Sequence, residues 1–266
     1  MRENRLRKLI DKGQPTLGTQ ILIPWPGLME IIGQTGIFDY AEFLSEYAPF
    51  DLHDLDNLAR AAELANLSPM IKIEQQPRTF LAERALAAGI QNIFFADIRT
   101  VEDAKEAVRA VRSEPKGMSG YRMDRRAGYV FSTTTPGDII KMGEDAVVAI
   151  MIEKNSAVEN LEEILSTEGI DMVEFGPSDY ALSLGMPGEK SHPKVKEAEL
   201  KTITTAVRMG IPVRAEVRMP SDAERYIELE VHHICLSTDV LILHHWLKEN
   251  GEELRRIISK ARSSKD

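Results

Sequence analysis

Short runs of branched apolar residues alternate with amphipathic segments along the whole chain. The stretch 146–185, AVVAIMIEKNSAVENLEEILSTEGIDMVEFGPSDYALSLG, shows the pattern best. Val147, Val148, Ile150 and Ile152 form an apolar run that ends at Glu153, where a buried strand would meet a loop. A helical pattern covers Asn160 to Leu165 and is closed by Gly169. Met172 to Phe175 then reads as a second strand running into the loop Gly176-Pro177-Ser178-Asp179. The unit is βαβ-like, with a carboxylate at the carboxyl end of each strand.

The same alternation predicts strands at Thr16 to Ile23, Tyr40 to Ser45, Met70 to Glu74, Gln91 to Ala96, Pro212 to Val217 and His232 to Leu236. Helical patterns lie between them, after an amphipathic segment at residues 3–12. The chain finishes on two helical pieces, Val240 to Glu249 and Glu252 to Arg262. Residues 113–144 are the least regular stretch and predict a long functional loop or lid. Eight short strands, each followed by a helical segment, predict a (β/α)8 barrel of the TIM type forming one domain over 1–266. An open doubly wound sheet is the alternative, but no dinucleotide glycine fingerprint follows the first strand.

Composition adds bounds. With 43% hydrophobic and 28% charged residues, the chain can build a sizeable core. A net charge of −9 disfavours nucleic acid or an anionic membrane as a bulk partner. The single cysteine, Cys235, sits on an apolar run and reads as a buried core thiol. No membrane-length apolar run and no signal-like amino terminus is present, so the cytoplasm is the expected compartment.

Strand ends at the carboxyl side are where parallel α/β folds place ligands. Glu153 and Asp179, brought together there, would suit a hard divalent cation. The plainer alternative is a helix cap and a polar turn. Counting back by twos from Glu153 puts Met151 and Ala149 inside the barrel. Lys72 shares its facing with Met70, and a lysine within PMIKIE is costly to bury unless it meets an anion. Glu42, Arg214 and Glu216 are further charges within strands, which opposite partners across the barrel can satisfy. The six histidines read as surface or packing residues rather than metal ligands.

The order of residues goes further. IEKNSAVENLEEIL followed by GIDMVEFGPSDYALSLG resembles the metal-binding segment of the HpcH/HpaI aldolases, divalent-metal pyruvate aldolases of the phosphoenolpyruvate/pyruvate barrel superfamily. The likeness runs from Gly18 to about Leu254. It implies that Glu153 and Asp179 ligate Mg²⁺, Mn²⁺ or Co²⁺, and that Gly176, Pro177, Ser178 and Asp179 form the loop that binds the carboxylate of pyruvate. Lys72 falls where the family has an arginine that steadies the enolate oxygen. SEYAPFDLHDL matches the family's GEHAP segment, so Glu46 is retained, but Tyr47 stands at the place of the acid/base histidine. Leu44 replaces the aspartate that orients that histidine, and Met151 replaces a glutamine.

The resemblance implies reversible aldol cleavage of a 2-oxo acid to pyruvate and an aldehyde, with Lys72, Tyr47 and Glu46 as candidate catalytic residues. Without the family's dyad, citrate-synthase-like condensation, decarboxylation of an oxaloacetate-type acid, or ligand binding without turnover are the alternatives. The resemblance also implies a homohexamer, a trimer of dimers. Its terminal helix would pack on a neighbour through Leu241, Ile242, Trp246 and Leu247.

Overall fold

The structure, a computed structural model, describes residues 3–130 and 134–263. Eight strands, each parallel to its neighbours, close into a barrel in chain order: β1 (Thr16–Ile21), β2 (Tyr40–Leu44), β3 (Ser68–Ile73), β4 (Asn92–Ile98), β5 (Val147–Ile152), β6 (Met172–Phe175), β7 (Val213–Val217) and β8 (His233–Thr238). Before the barrel lies α1 (Arg5–Asp11), and α2 (Pro26–Gln34), α3 (Leu52–Leu64), α4 (Arg78–Ala88) and α5 (Val101–Val111) follow the first four strands. After them come α6 (Pro136–Glu144), α7 (Asn155–Glu159), α8 (Leu161–Leu165), α9 (Pro177–Ser183), α10 (Pro193–Arg208), α11 (Glu224–Ile227) and α12 (Asp239–Ser263). The (β/α)8 expectation holds, with the extra helix at each end. Among the described residues, no helix is long and apolar enough to cross a membrane.

A strand buried on both faces reads as a continuous apolar run, and β5 is such a strand. Val148, Ile150 and Ile152 join the layer between barrel and helices, while Val147, Ala149 and Met151 face inward. The inner core adds Tyr40, Met70, Phe94 and Met172, and Leu6 from α1 closes the amino end. Gly18 makes room for the Tyr40 ring: a Cβ there would stand 2.1 Å from Tyr40 Cζ.

Above this apolar layer the interior becomes ionic. Arg214 is fully buried; it donates to Glu42, and its Nε lies 3.0 Å from Glu174 Oε2. That second approach is an ion pair without hydrogen-bond geometry, and Arg214 Nη2 has no hydrogen-bond partner. The guanidinium also lies over the Phe94 ring at 4.8 Å and the Tyr40 ring at 5.7 Å. Gln20 donates to Glu42 at 3.1 Å and accepts from Thr238 at 3.0 Å. Cross-barrel pairing therefore accounts for Glu42 and Arg214, whereas Glu216 is exposed.

Three local expectations change. The two terminal pieces are one continuous helix, α12, because an interior glycine such as Gly251 costs about 1 kcal/mol, too little to break it. The segment after β5 is split at Asn160 into α7 and α8. Residues 113–144 are more ordered than their Gly and Pro content suggests. Thr135 and Asp138 form a reciprocal capping box that starts α6, a signal carried in the sequence by TPGD. Arg122 and Arg125 donate to the carbonyls of Glu83, midway along α4, and Ala88, at its end, which seats this stretch at the amino face of the barrel. Its described residues line no part of the cavity at the carboxyl ends, and residues 131–133 lie outside the described chain.

One guanidinium between two carboxylates leaves an unmatched negative charge. Burial pushes the Glu174 carboxyl up to about 8, against the pull of Arg214. In the unfolded chain the same group ionises in the ordinary carboxylate range. The folded state thus holds the proton more tightly, and that contribution fades as pH climbs through about 8. Glu174→Gln, uncharged throughout, should gain on the parent between about pH 5 and 8, at up to about 1.4 kcal/mol per pH unit in urea unfolding. A pH-independent difference would show that Glu174 is ionised inside the barrel.

Candidate active site

The carboxyl ends of the strands open on a cavity of about 420 Å³. Tyr47, Lys72, Glu153 and the run Gly176 to Asp179 line it, with Gln20, Glu174, Arg214 and Thr238 among its other walls. The residues singled out from the sequence at four separate places are thus brought to one mouth, with Glu46 behind Lys72.

Lys72 is the inward residue two positions beyond Met70 on β3. Its Nζ lies 2.7 Å from Glu46 Oε1, with both side chains nearly buried. The ammonium also sits 5.4 Å from the Tyr47 ring centre and 5.9 Å from that of Phe94. Burial pulls its pKa down, but the charge and hydrogen bond of Glu46, with the charges of Tyr47 and Glu153, together outweigh this and hold Lys72 above the ordinary lysine value. Tyr47 stays 61% exposed at the rim. Burial of its hydroxyl pushes the phenol up; Lys72 opposes the rise, and a hydrogen bond with Glu46 reinforces it. The surroundings therefore keep the phenol protonated rather than activating it as a base.

Glu153 follows β5 and is 3% exposed. Its Oε1 accepts from the Asp97 N–H at 2.7 Å. A Cβ placed on Gly176 would come within 2.7 Å of Glu153 Cβ and 2.8 Å of its Oε2, so only glycine fits against this carboxylate. Burial raises Glu153 to about 7; Lys72, the Asp97 amide and Lys154 oppose the rise, and the like charge of Asp179 adds to it.

The Gly176–Asp179 run is the start of a helix rather than a free loop. Gly176 caps α9 and Pro177 occupies its first turn. The Gly176 N–H is already given to the Ile152 carbonyl at 3.0 Å, and proline has none. The Ser178 and Asp179 amides remain, in the turn where N–H groups lack intrahelical acceptors.

Among the described residues, no three His, Cys, Asp or Glu side chains gather into a ready-made metal cage. Two carboxylates with hard oxygen donors nevertheless fit a cation of the Mg²⁺ class, which keeps several positions for water or substrate oxygens. Glu153 Oε2, beside Gly176, and the partly exposed Asp179 are the donors such an ion would use.

Two charged neighbours escaped the sequence reading. Asp97 lies near the end of β4, at an irregularity in the pairing with β5 and in the left-handed region at φ 55°. Lys154 directly follows Glu153, and its ammonium reaches both Asp97 and Asp179. The strand-end rule that selected Glu153 could have found Asp97 in FFADIRT. Histidine is absent from the cavity walls among the described residues, and His233 packs against Thr16 at 2.9 Å. Cys235 is buried in the barrel, as expected.

Comparison with known proteins agrees with this architecture. The chain is 28% identical over 237 residues to the 5-keto-4-deoxy-D-glucarate aldolase of Klebsiella pneumoniae, covering 89% of this chain and 91% of that protein. A crystal structure of an HpcH/HpaI aldolase/citrate lyase family protein from Burkholderia cenocepacia superposes with a TM-score of 0.86 at 27% identity, covering 95% of this chain and 99% of the other. An HpcH/HpaI aldolase from Desulfitobacterium hafniense shares the fold at a TM-score of 0.86 and 24% identity, over 94% and 96% of the two chains. The family model for HpcH/HpaI aldolase/citrate lyase matches residues 45–240, the span that carries Glu46, Lys72, Glu153 and Asp179. With barrel, mouth and sequence match in agreement, the chain belongs to the HpcH/HpaI aldolase/citrate lyase family.

Proposed function

We propose that this protein is a metal-dependent carbon–carbon lyase of 2-oxo acids that catalyses reversible aldol cleavage to a 2-oxo acid and an aldehyde. The observation that carries this reading is the mouth itself. There the buried Glu153, fixed by the Asp97 amide and fitted against Gly176, shares one cavity with Asp179 and Lys72. The aldol chemistry in the name of the Klebsiella relative supports it.

Glu153 and Asp179 would hold Mg²⁺, Mn²⁺ or Co²⁺. Such an ion supplies Lewis-acid polarisation of the 2-oxo group. The Ser178 and Asp179 amides offer hydrogen bonds to the substrate carboxylate. Lys72, held protonated by Glu46, is a permanent cation and not a nucleophilic amine, which argues against a Schiff-base aldolase. Its charge offsets the negative charge that moves onto the 2-oxo oxygen as the C3–C4 bond breaks. The proton leaving the C4 hydroxyl passes to the Tyr47 oxygen while the phenol gives its own proton to Glu46. Tyr47 thus serves as a relay that never needs to ionise, and the proton held on Glu46 returns through Tyr47 to C3, which completes pyruvate and restores the Glu46 carboxylate.

A second reading keeps the site and changes the reaction. Decarboxylation of an oxaloacetate-type acid needs no base, and the lack of a cavity histidine among the described residues, together with the protonated Tyr47, favours it. Exchange of pyruvate methyl protons in deuterated water, with a panel of divalent metals, tests both. The lyase reading expects exchange with Mg²⁺ or Mn²⁺ that stops on chelation, and its loss in Glu153→Gln and Asp179→Asn while the circular dichroism of the barrel is kept. Full exchange in either variant sinks the metal assignment. Oxaloacetate turnover without exchange or aldol product selects decarboxylation, and metal binding without any turnover leaves a non-catalytic binder.

The terminal helix belongs to the same reading. From Leu241 onward its described residues are exposed, and Leu241, Ile242, Leu243, Trp246 and Leu247 form an apolar surface near its start, continued by Leu254, Ile257 and Ile258. Apolar surface of this extent marks an interface, and a second copy of the chain is the occupant that the family assembly implies. Trp246→Glu with Leu247→Glu should lower the mass measured by light scattering to that of a smaller assembly. An unchanged oligomer, or a monomeric parent, overturns this packing.

A further inference from the structure

Lys154 takes no part in the chemistry above, yet its ammonium closes a ring of charges around the two candidate ligands. Its Nζ lies 2.7 Å from Asp97 Oδ1 and 3.5 Å from Asp179 Oδ1, and its side chain is 14% exposed. Asp97 is fixed in turn, because its own N–H donates to Glu153 Oε1 at 2.7 Å. The backbone of Asp97 thus holds one candidate ligand, while its side chain anchors the cation that touches the other. Arg99 also approaches Asp97, at 3.4 Å, from the solvent side. A lysine so far withdrawn from water needs anionic partners, and here it has two.

We infer that Lys154 is a resident counter-ion of the metal pair, which a divalent cation must push off Asp179, and that it thereby sets the affinity for that cation. The inference rests on the reading of Glu153 and Asp179 as the metal-holding residues. In the metal-free protein the ammonium offsets the mutual repulsion of the carboxylates and keeps them assembled. A dication on Asp179 and an ammonium on the same carboxylate are like charges at close range. Asp97 gives the ammonium a second station, so Lys154 can release Asp179 and keep a partner. A single positive charge about 5 Å from a dication weakens binding on the order of tenfold even at the dielectric constant of water, and by more in a less polar cavity. Because the effect is one of charge, it applies alike to Mn²⁺, Mg²⁺ and Co²⁺.

Calorimetric titration of Mn²⁺ into the full-length protein, stripped by chelation, tests this without any turnover. Lys154→Met and Lys154→Gln should each bind Mn²⁺ about tenfold more tightly than the parent, whereas Lys154→Arg, which keeps the charge, should bind as the parent does. Unchanged or weaker binding in both neutral variants overturns the inference, because Lys154 would then be idle or would serve to hold Asp179 in place. Glu153→Gln separates the two levels of the argument. If it binds Mn²⁺ as the parent does, the metal pair itself is wrong. If it loses the ion while the neutral Lys154 variants match the parent, only the role of Lys154 fails.

Discussion

Charge withdrawn from water must find its opposite, and in this barrel that requirement arranges everything above the apolar floor. Arg214 lies between Glu42 and Glu174, Lys72 rests on Glu46, and Lys154 bridges Asp97 and Asp179. Each group would be costly alone at that depth, so the side chains that form the mouth hold one another in position. Below them Leu6, Phe94, Met70 and Met172 supply ordinary hydrophobic packing. The fold spends its polar residues at the end where strands meet loops, which is also where a ligand can reach them.

That arrangement decides what each group can do. Lys72, with Glu46 against it, is fixed as a cation. Burial keeps the Tyr47 phenol protonated, and the same carboxylate reinforces it. Glu153 sits near neutrality because burial and Asp179 push its carboxyl up while two lysines and a backbone amide pull it down. Here the balance of neighbours sets proton affinities more than residue type does.

Most of the barrel was legible in the alternation of apolar runs, because strands buried on both faces leave a signal that survives in a single sequence. VVAIMI and the flanking Glu153 placed both a strand and the end of it that meets the cavity, and the two-residue count from Glu153 put Met151 and Ala149 inside. Lys72 was legible for the same reason, since a charge in an inward position demands an anion. What stayed hidden depends on backbone geometry. The left-handed turn of Asp97, which aims its amide at Glu153, has no signature in FFADIRT. Lys154 meets Asp97 and Asp179 only through the fold, and nothing beside it in the sequence announces those partners. The continuity of α12 across Asn250-Gly251 went unread because one glycine costs a helix too little to break it, and the capping-box signal TPGD lay in a stretch whose Gly and Pro content reads as irregular.

The amino end of the barrel is stopped by Leu6 and by the Tyr40 ring that Gly18 admits. Among the described residues, the chamber is closed at its base and opens at the carboxyl ends of the strands. Whatever binds deepest must arrive first and depart last, and a second reactant standing in the doorway seals the first behind it. On the proposed aldol reading, the order in which the two substrates pass such a vestibule is set by architecture, before any difference in affinity is considered.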